Sequence, residues 1–200
     1  MTGAVAARHS PLEGYAATFA QVATTTKGAV SLTELPFLAQ VDVRADPADL
    51  ALLARLGAVV GVELPTTPNS AVATSGGHRQ VLWLGPDEWL VIDRPGTEAS
   101  LEGQLRAALQ GGRGSVVDVS ANRTTIRLAG PAAREVIEHG CSIDLHPRAF
   151  GPGRCAQTLI ARAGVVLIAV SSEPEYRILV RPSFAAYLAS WLLDAIDGLT

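Results

Sequence analysis

The side chains able to do chemistry are few and scattered. His139, Cys141 and His146 lie close together, and imidazole and thiolate are both zinc ligands. Their spacing, His-x-Cys-x4-His, matches no structural zinc pattern, and no Cys-x-x-Cys supplies further ligands. His139 stands where the last turn of a helix is expected, and a cation there suits the dipole; that is the plainer reading. Asp118 and Asp144 are a candidate acid–base pair. Asp118 is followed by Ser120 and Asn122, however, a pattern in which the carboxylate closes its own turn. Gly151-Pro152-Gly153 precedes a strand rather than a helix, and its proline lacks an amide that a phosphate would need. Gly111-Gly112-Arg113-Gly114 follows a helix and reads as a C-cap and linker. No Gly-x-Ser-x-Gly elbow occurs. Cys141 and Cys155 make no disulfide framework and read as small buried hydrophobes. The sequence therefore predicts no catalytic, cofactor-binding or metal residue. What remains is aromatic. Trp83 and Trp89 flank the Gly85-Pro86-Asp87 turn beside Leu82, Leu84 and Leu90. They read either as core or as an interface anchor, since tryptophan concentrates binding energy.

The elements that carry these residues are written twice. Val43-Arg44-Ala45-Asp46-Pro47-Ala48, a helical run, Gly57 and Glu63-Leu64-Pro65 answer Arg127-Leu128-Ala129-Gly130-Pro131-Ala132, a helical run, Gly140 and Asp144-Leu145-His146-Pro147. Glu88-Trp89-Leu90-Val91-Ile92-Asp93-Arg94-Pro95 answers Glu175-Tyr176-Arg177-Ile178-Leu179-Val180-Arg181-Pro182. Pro47 and Pro131 are 84 residues apart, far beyond the period of a solenoid.

In the first unit, strands are expected near Val30–Leu35 and Leu38–Arg44. A helix follows, with Asp46 as N-cap, Leu50, Leu53 and Ala54 as its buried stripe, and Gly57 closing it. A weak strand near Ala71–Ser75 and a hairpin with arms Arg79–Leu84 and Glu88–Asp93 come next. Thr97 caps a helix over Glu98–Gln110. The second unit repeats this order. Strands at Val116–Val119 and Thr124–Leu128 precede a helix over Pro131–His139, then strands at Arg154–Ile160, Gly164–Val170 and Tyr176–Arg181. A final helix over Ser183–Ile196 carries Phe184, Leu188, Trp191, Leu192 and Ala195 on one stripe. The predicted class is α+β, two strand-strand-helix-three-strand-helix units with mainly antiparallel sheets. The predicted division is an extended N-terminal arm over 1–28, a first unit over 29–113 and a second over 114–200, in one pseudo-symmetric domain.

Composition excludes several classes. The chain is 48% hydrophobic and 18% charged, which is globular. A net charge of −3 offers no basic face for nucleic acid. Apolar runs such as Val165–Val170 are of strand length, far below the ~20 residues of a membrane span. No secretory signal is visible, and a cytoplasmic location is expected.

Two long runs carry a family resemblance. They are Asp118-Val119-Ser120-Ala121-Asn122-Arg123-Thr124-Thr125-Ile126-Arg127-Leu128-Ala129-Gly130-Pro131 and Cys141-Ser142-Ile143-Asp144-Leu145-His146-Pro147. With Leu84-Gly85-Pro86-Asp87-Glu88-Trp89-Leu90 and Phe150-Gly151-Pro152-Gly153-Arg154-Cys155, they resemble the gamma subunits of bacterial heterotetrameric sarcosine oxidases. The duplicated plan is more distantly similar to the folate-binding aminomethyltransferase fold of the glycine cleavage T-protein, whose two units exchange strands. The resemblance implies a complex that converts sarcosine, tetrahydrofolate and oxygen to glycine, 5,10-methylenetetrahydrofolate and hydrogen peroxide. It implies alpha, beta and delta partner subunits, chiefly alpha, with FAD, FMN, NAD, the folate site and zinc on those partners and none on this chain. Where T-protein-like chains carry a functional Asp, Gly164–Val170 and the copy Gly77–Leu84 hold no carboxylate. An alternative is a stand-alone folate-binding protein of the iron–sulfur repair type, whose motif Gly153-Arg154-Cys155-Ala156-Gln157-Thr158 keeps only in part. An independent aminomethyltransferase is disfavoured by the missing carboxylate.

Overall fold

In a computed structural model of the chain, residues 8–199 are described. The order is a short 3-10 turn at Glu13–Tyr15, then α1 (Ala16–Thr25), β1 (Ser31–Leu35), β2 (Ala39–Ala45), α2 (Leu50–Val60), β3 (Ala71–Ala73), β4 (Gln80–Gly85), β5 (Glu88–Asp93) and α3 (Glu98–Leu109). The second half runs β6 (Gly114–Asp118), β7 (Thr124–Ala129), α4 (Ala133–Glu138), β8 (Cys155–Ile160), β9 (Ala163–Ser171), β10 (Glu175–Val180) and α5 (Pro182–Asp197). Two five-stranded antiparallel sheets form, ordered β1-β7-β10-β9-β8 and β3-β4-β5-β2-β6. Read from opposite ends, the two orders are the same. The first strand of each half is exchanged: β1 pairs β7, with Ser31 opposite Ala129, and β6 pairs β2, with Asp118 opposite Val41.

Each sheet buries its outer face under helices. Ile126, Leu128, Leu167 and Ile178 pack with Ala133, Val136, Ile137, Leu188 and Leu192 of α4 and α5. Val41, Val43, Val81, Trp89 and Val91 pack with Leu52, Leu56, Leu101 and Leu105 of α2 and α3. The inner faces meet in a third cluster, Leu82, Leu90 and Ile92 against Cys155, Val166, Ile168 and Leu179. Strands buried on both faces explain the near-continuous apolar runs of β5 and β9. The sheets are tied along one side, where Cys155 N donates to Asn69 O and Ala71 N to Gly153 O.

Local chemistry moves several boundaries. The expected extended arm is helical over Glu13–Thr25. Alanine at 16, 17, 20 and 23 favours helix, and the spacing of Phe19 and Val22 puts both against the core. Tyr15 Oη lies 2.9 Å from Ser190 Oγ on α5, fastening this segment to the second half. Asp49, not Asp46, caps α2, accepting from Leu52 N at 2.9 Å, while Asp46 accepts from Ala48 N in the preceding turn. Gly57 lies inside α2, where a Cβ would stand 3.1 Å from Val62 O. The closing left-handed residue is Gly61, at φ 82°. The buried stripe of α2 is accordingly Leu52, Leu53, Leu56 and Val60, and Leu50 and Ala54 face outward. On α5, Phe184 is likewise exposed, and Ala185, Leu188, Ala189, Leu192 and Ile196 make the buried stripe.

Candidate interface and inter-sheet cleft

The two tryptophans sit opposite one another in the β4–β5 ladder, and their surroundings separate them. Trp89 has no exposed surface and donates Nε1–H to the Pro65 carbonyl at 2.7 Å. That is the environment of a core indole with its one donor satisfied, so Trp89 is not a surface anchor. The carbonyl partner comes from the Pro65–Asn69 loop, a contact that no local pattern encodes. Trp83, across the ladder from it, is half-buried.

The other chemical candidates are in structural roles. His139 Nδ1 donates to Glu135 O at 2.8 Å, a bond within its own helical turn. His146 Nδ1 accepts from Arg148 N, and Asp144 accepts from His146 N. Among the described residues no group of His, Cys, Asp and Glu is placed to hold a metal ion. Asp118 accepts from Ser120 N at 2.9 Å and from Ser120 Oγ, the self-closing turn expected of it. Ser120 Oγ in turn receives Gln40 N, pinning β2 to the start of the second unit. Cys155 is fully buried, its Sγ 3.2 Å from Ser70 O, and burial pushes its thiol up to about 11. A thiol so placed is an inert packing group.

A charged cluster that the sequence does not reveal gathers at one end of the space between the sheets. Asp42 and Arg44 alternate along β2 on the face of Leu90 and Glu88, their direct cross-strand partners. Arg44 pairs with Glu88 at 2.7 Å and with Asp87 at 3.4 Å. Burial, and then the neighbouring Glu88 carboxylate, push Asp42 up to about 6. From the other sheet come Arg123, just before β7, and Arg181, after β10, which share a cavity of about 560 Å³ with Gln157, Thr158 and Val166. Burial, and then the like charge of Arg181, hold Arg123 below its ordinary value. The arrangement can retain a proton near neutral pH and neutralise charge across the cleft. At the opposite end Arg177 donates to Gln80 Oε1 at 3.0 Å, and Arg127 is bidentate on Glu175.

Comparison with known proteins agrees over nearly the whole length. Residues 44–197 match the sarcosine oxidase, gamma subunit family. The chain is 43% identical over 189 residues to sarcosine oxidase subunit gamma of Arthrobacter sp., covering 94% of this chain and 90% of that protein. A chain of the heterotetrameric sarcosine oxidase from Corynebacterium sp. U-96, solved in complex with pyrrole 2-carboxylate, superposes with a TM-score of 0.86. It is 37% identical, over 96% of this chain and 95% of that one. The glycine cleavage aminomethyltransferase T of Bartonella henselae gives a TM-score of 0.64 at 13% identity, over 86% of this chain and 48% of that one. That last likeness is one of fold, the duplicated strand-exchanged unit. With the family matched over most of its residues and close relatives aligned nearly end to end, the chain belongs to the sarcosine oxidase gamma subunit family.

Proposed function

We propose that the chain is a non-catalytic subunit of a heterotetrameric sarcosine oxidase. It assembles with alpha, beta and delta partners in the cytoplasm and braces chiefly the alpha subunit. Sarcosine oxidation, folate-dependent capture of the one-carbon unit and reduction of oxygen to peroxide take place on those partners. FAD, FMN, NAD, tetrahydrofolate and zinc belong to them as well. The observation that carries this reading is the end-to-end match to a chain of a solved heterotetrameric sarcosine oxidase, beside curated gamma subunits aligned over nearly the same length. The packing supports it. The centre of the strand-exchanged body is filled by Leu82, Leu90, Ile92, Val166, Ile168 and Leu179, and at its ends Arg44 pairs with Glu88 and Arg127 with Glu175. Half-buried Trp83 remains a candidate anchor at the hairpin tip.

The test is to purify the chain alone and together with the remaining subunits of the same oxidase. The expected result is a colourless chain, inert toward sarcosine, that enters a stoichiometric complex when co-expressed. Flavin absorbance retained by the isolated chain, or peroxide released from sarcosine by it alone, refutes the reading.

A further inference from the structure

α2 and α4 occupy equivalent places in the duplicated fold, yet their outward faces differ. On α4, Arg134 and Glu138 point to solvent and pair at 3.3 Å. The buried pairs Leu52-Leu53 of α2 and Val136-Ile137 of α4 set the two helices in register, which puts Leu50 and Ala54 at those positions of α2. Leu50 is 74% exposed, the highest value among the exposed large hydrophobic side chains of the described residues. With Leu53, Ala58, Val62 and Leu64 these two line an apolar groove of about 590 Å³ between α2 and the chain that follows it. The fold does not require apolar residues there, since α4 holds its place with a salt bridge. Contiguous apolar surface without a role in the core marks an interaction site.

The rim of the groove identifies the kind of partner. Glu63 lines it at one end, and Asp46 and Asp49 stand exposed at the N-terminal end of α2. Asp46 and Asp49 accept only backbone amides, from Ala48 and Leu52, and among the described residues none of the three carboxylates is in an ion pair. No Lys or Arg lines the groove. A second copy of the chain is a poor occupant. A two-fold contact through this face sets the same patch against itself and brings carboxylate toward carboxylate. We propose that the α2 groove docks an apolar segment flanked by Arg or Lys, presented by another subunit of the oxidase. This rests on the assembly reading above and specifies the surface that achieves it.

The test transplants the sister helix. The double variant Leu50→Arg, Ala54→Glu gives α2 the outward pair of α4 and leaves its buried residues Leu52, Leu53, Leu56 and Val60 in place. Thermal unfolding of the free chain is expected to stay within about 2 °C of wild type, as for other surface changes. Binding to the complex of the remaining subunits is expected to weaken at least about tenfold. Glu63→Lys, which lies outside the helix, is expected to weaken binding and to flatten its salt dependence. A double variant that binds like wild type overturns the groove inference and leaves the assembly reading standing. A wild-type chain that does not bind the other subunits overturns both. A wild-type chain that self-associates, and is released by the double variant, shows a second copy in the groove and overturns the choice of partner.

Discussion

Replacing the two tryptophans one at a time separates folding from assembly. Trp89 is fully buried in the cluster under α2 and α3, and Trp89→Ala removes a side chain that the sheet and both helices close upon. Substitutions of this type cost ~3–5 kcal/mol. The total stability of a domain is only ~5–15 kcal/mol, so the loss is a large share of it. At roughly 2–4 °C per kcal/mol for a chain of this length, the unfolding midpoint of the isolated chain falls by about 6–20 °C. Trp89→Phe isolates the hydrogen bond. It keeps most of the apolar volume but leaves the buried Pro65 carbonyl without its 2.7 Å donor, at ~1–3 kcal/mol. The order of midpoints is therefore wild type, Trp89→Phe, then Trp89→Ala, read by calorimetry on the free chain. Trp83 is half-buried, and Trp83→Ala costs ~1–2 kcal/mol of folding. If it anchors a partner, the same change weakens assembly by ~2 kcal/mol or more, about thirtyfold. The core assignment of Trp89 fails if Trp89→Ala unfolds within 2 °C of wild type. The anchor assignment of Trp83 fails if Trp83→Ala assembles unchanged.

Three further outcomes follow from single sites. The Asp42 carboxyl lies above its ordinary 3.8, at about 6, so its contribution to stability is full below pH ~4 and is lost as pH rises through 6. Asp42→Asn, neutral throughout, should therefore unfold at a higher temperature than wild type above pH 6, with the difference closing by pH 4; a difference independent of pH rejects this. Gly130 sits at φ 120°, where a Cβ would stand 2.5 Å from Ala29 O and 3.1 Å from Val30 Cα, so Gly130→Ala combines backbone strain of ~1–3 kcal/mol with a backbone collision. Its urea midpoint should fall well below wild type, and an unchanged midpoint removes the argument. With Cys155 buried and its thiol pushed up to about 11, Ellman's reagent should modify at most one thiol of the native chain promptly, at half-buried Cys141; two prompt thiols contradict the burial of Cys155.

The parts of the fold legible in the sequence are those written in short-range periodicity. Gly85-Pro86-Asp87 between two apolar arms specifies the β4–β5 hairpin, and the repeat of Ala-Asp-Pro and Ala-Gly-Pro before helices specifies two units. The sequence is ambiguous where two residues compete for one role. Asp46 and Asp49 both suit an N-cap, and choosing the earlier one rotates the helix reading, which put Leu50 and Ala54 inside instead of Leu52, Leu56 and Val60. The threonines at 18 and 24–26 obscured a helix whose burial rests on Phe19 and Val22.

The charged end of the cleft was illegible for a different reason. Asp42, Glu88, Arg123 and Arg181 come from four segments spread over 140 residues of chain, and each alone reads as a solvated side chain. They become neighbours because β1 and β6 trade sheets, which carries the β6–β7 turn across to the face of β2. The same exchange makes the halves interdependent. Without residues 31–35 the second sheet ends on an open β7, and without residues 114–118 the first ends on an open β2, each a bare row of backbone donors and acceptors. The exchange therefore ties the two halves together and sets corresponding elements of each side by side for comparison. Differences between copies mark where one has taken on a separate task. Leu50 against Arg134 is such a difference: it is invisible while α2 is read alone and plain once the two helices are laid over one another.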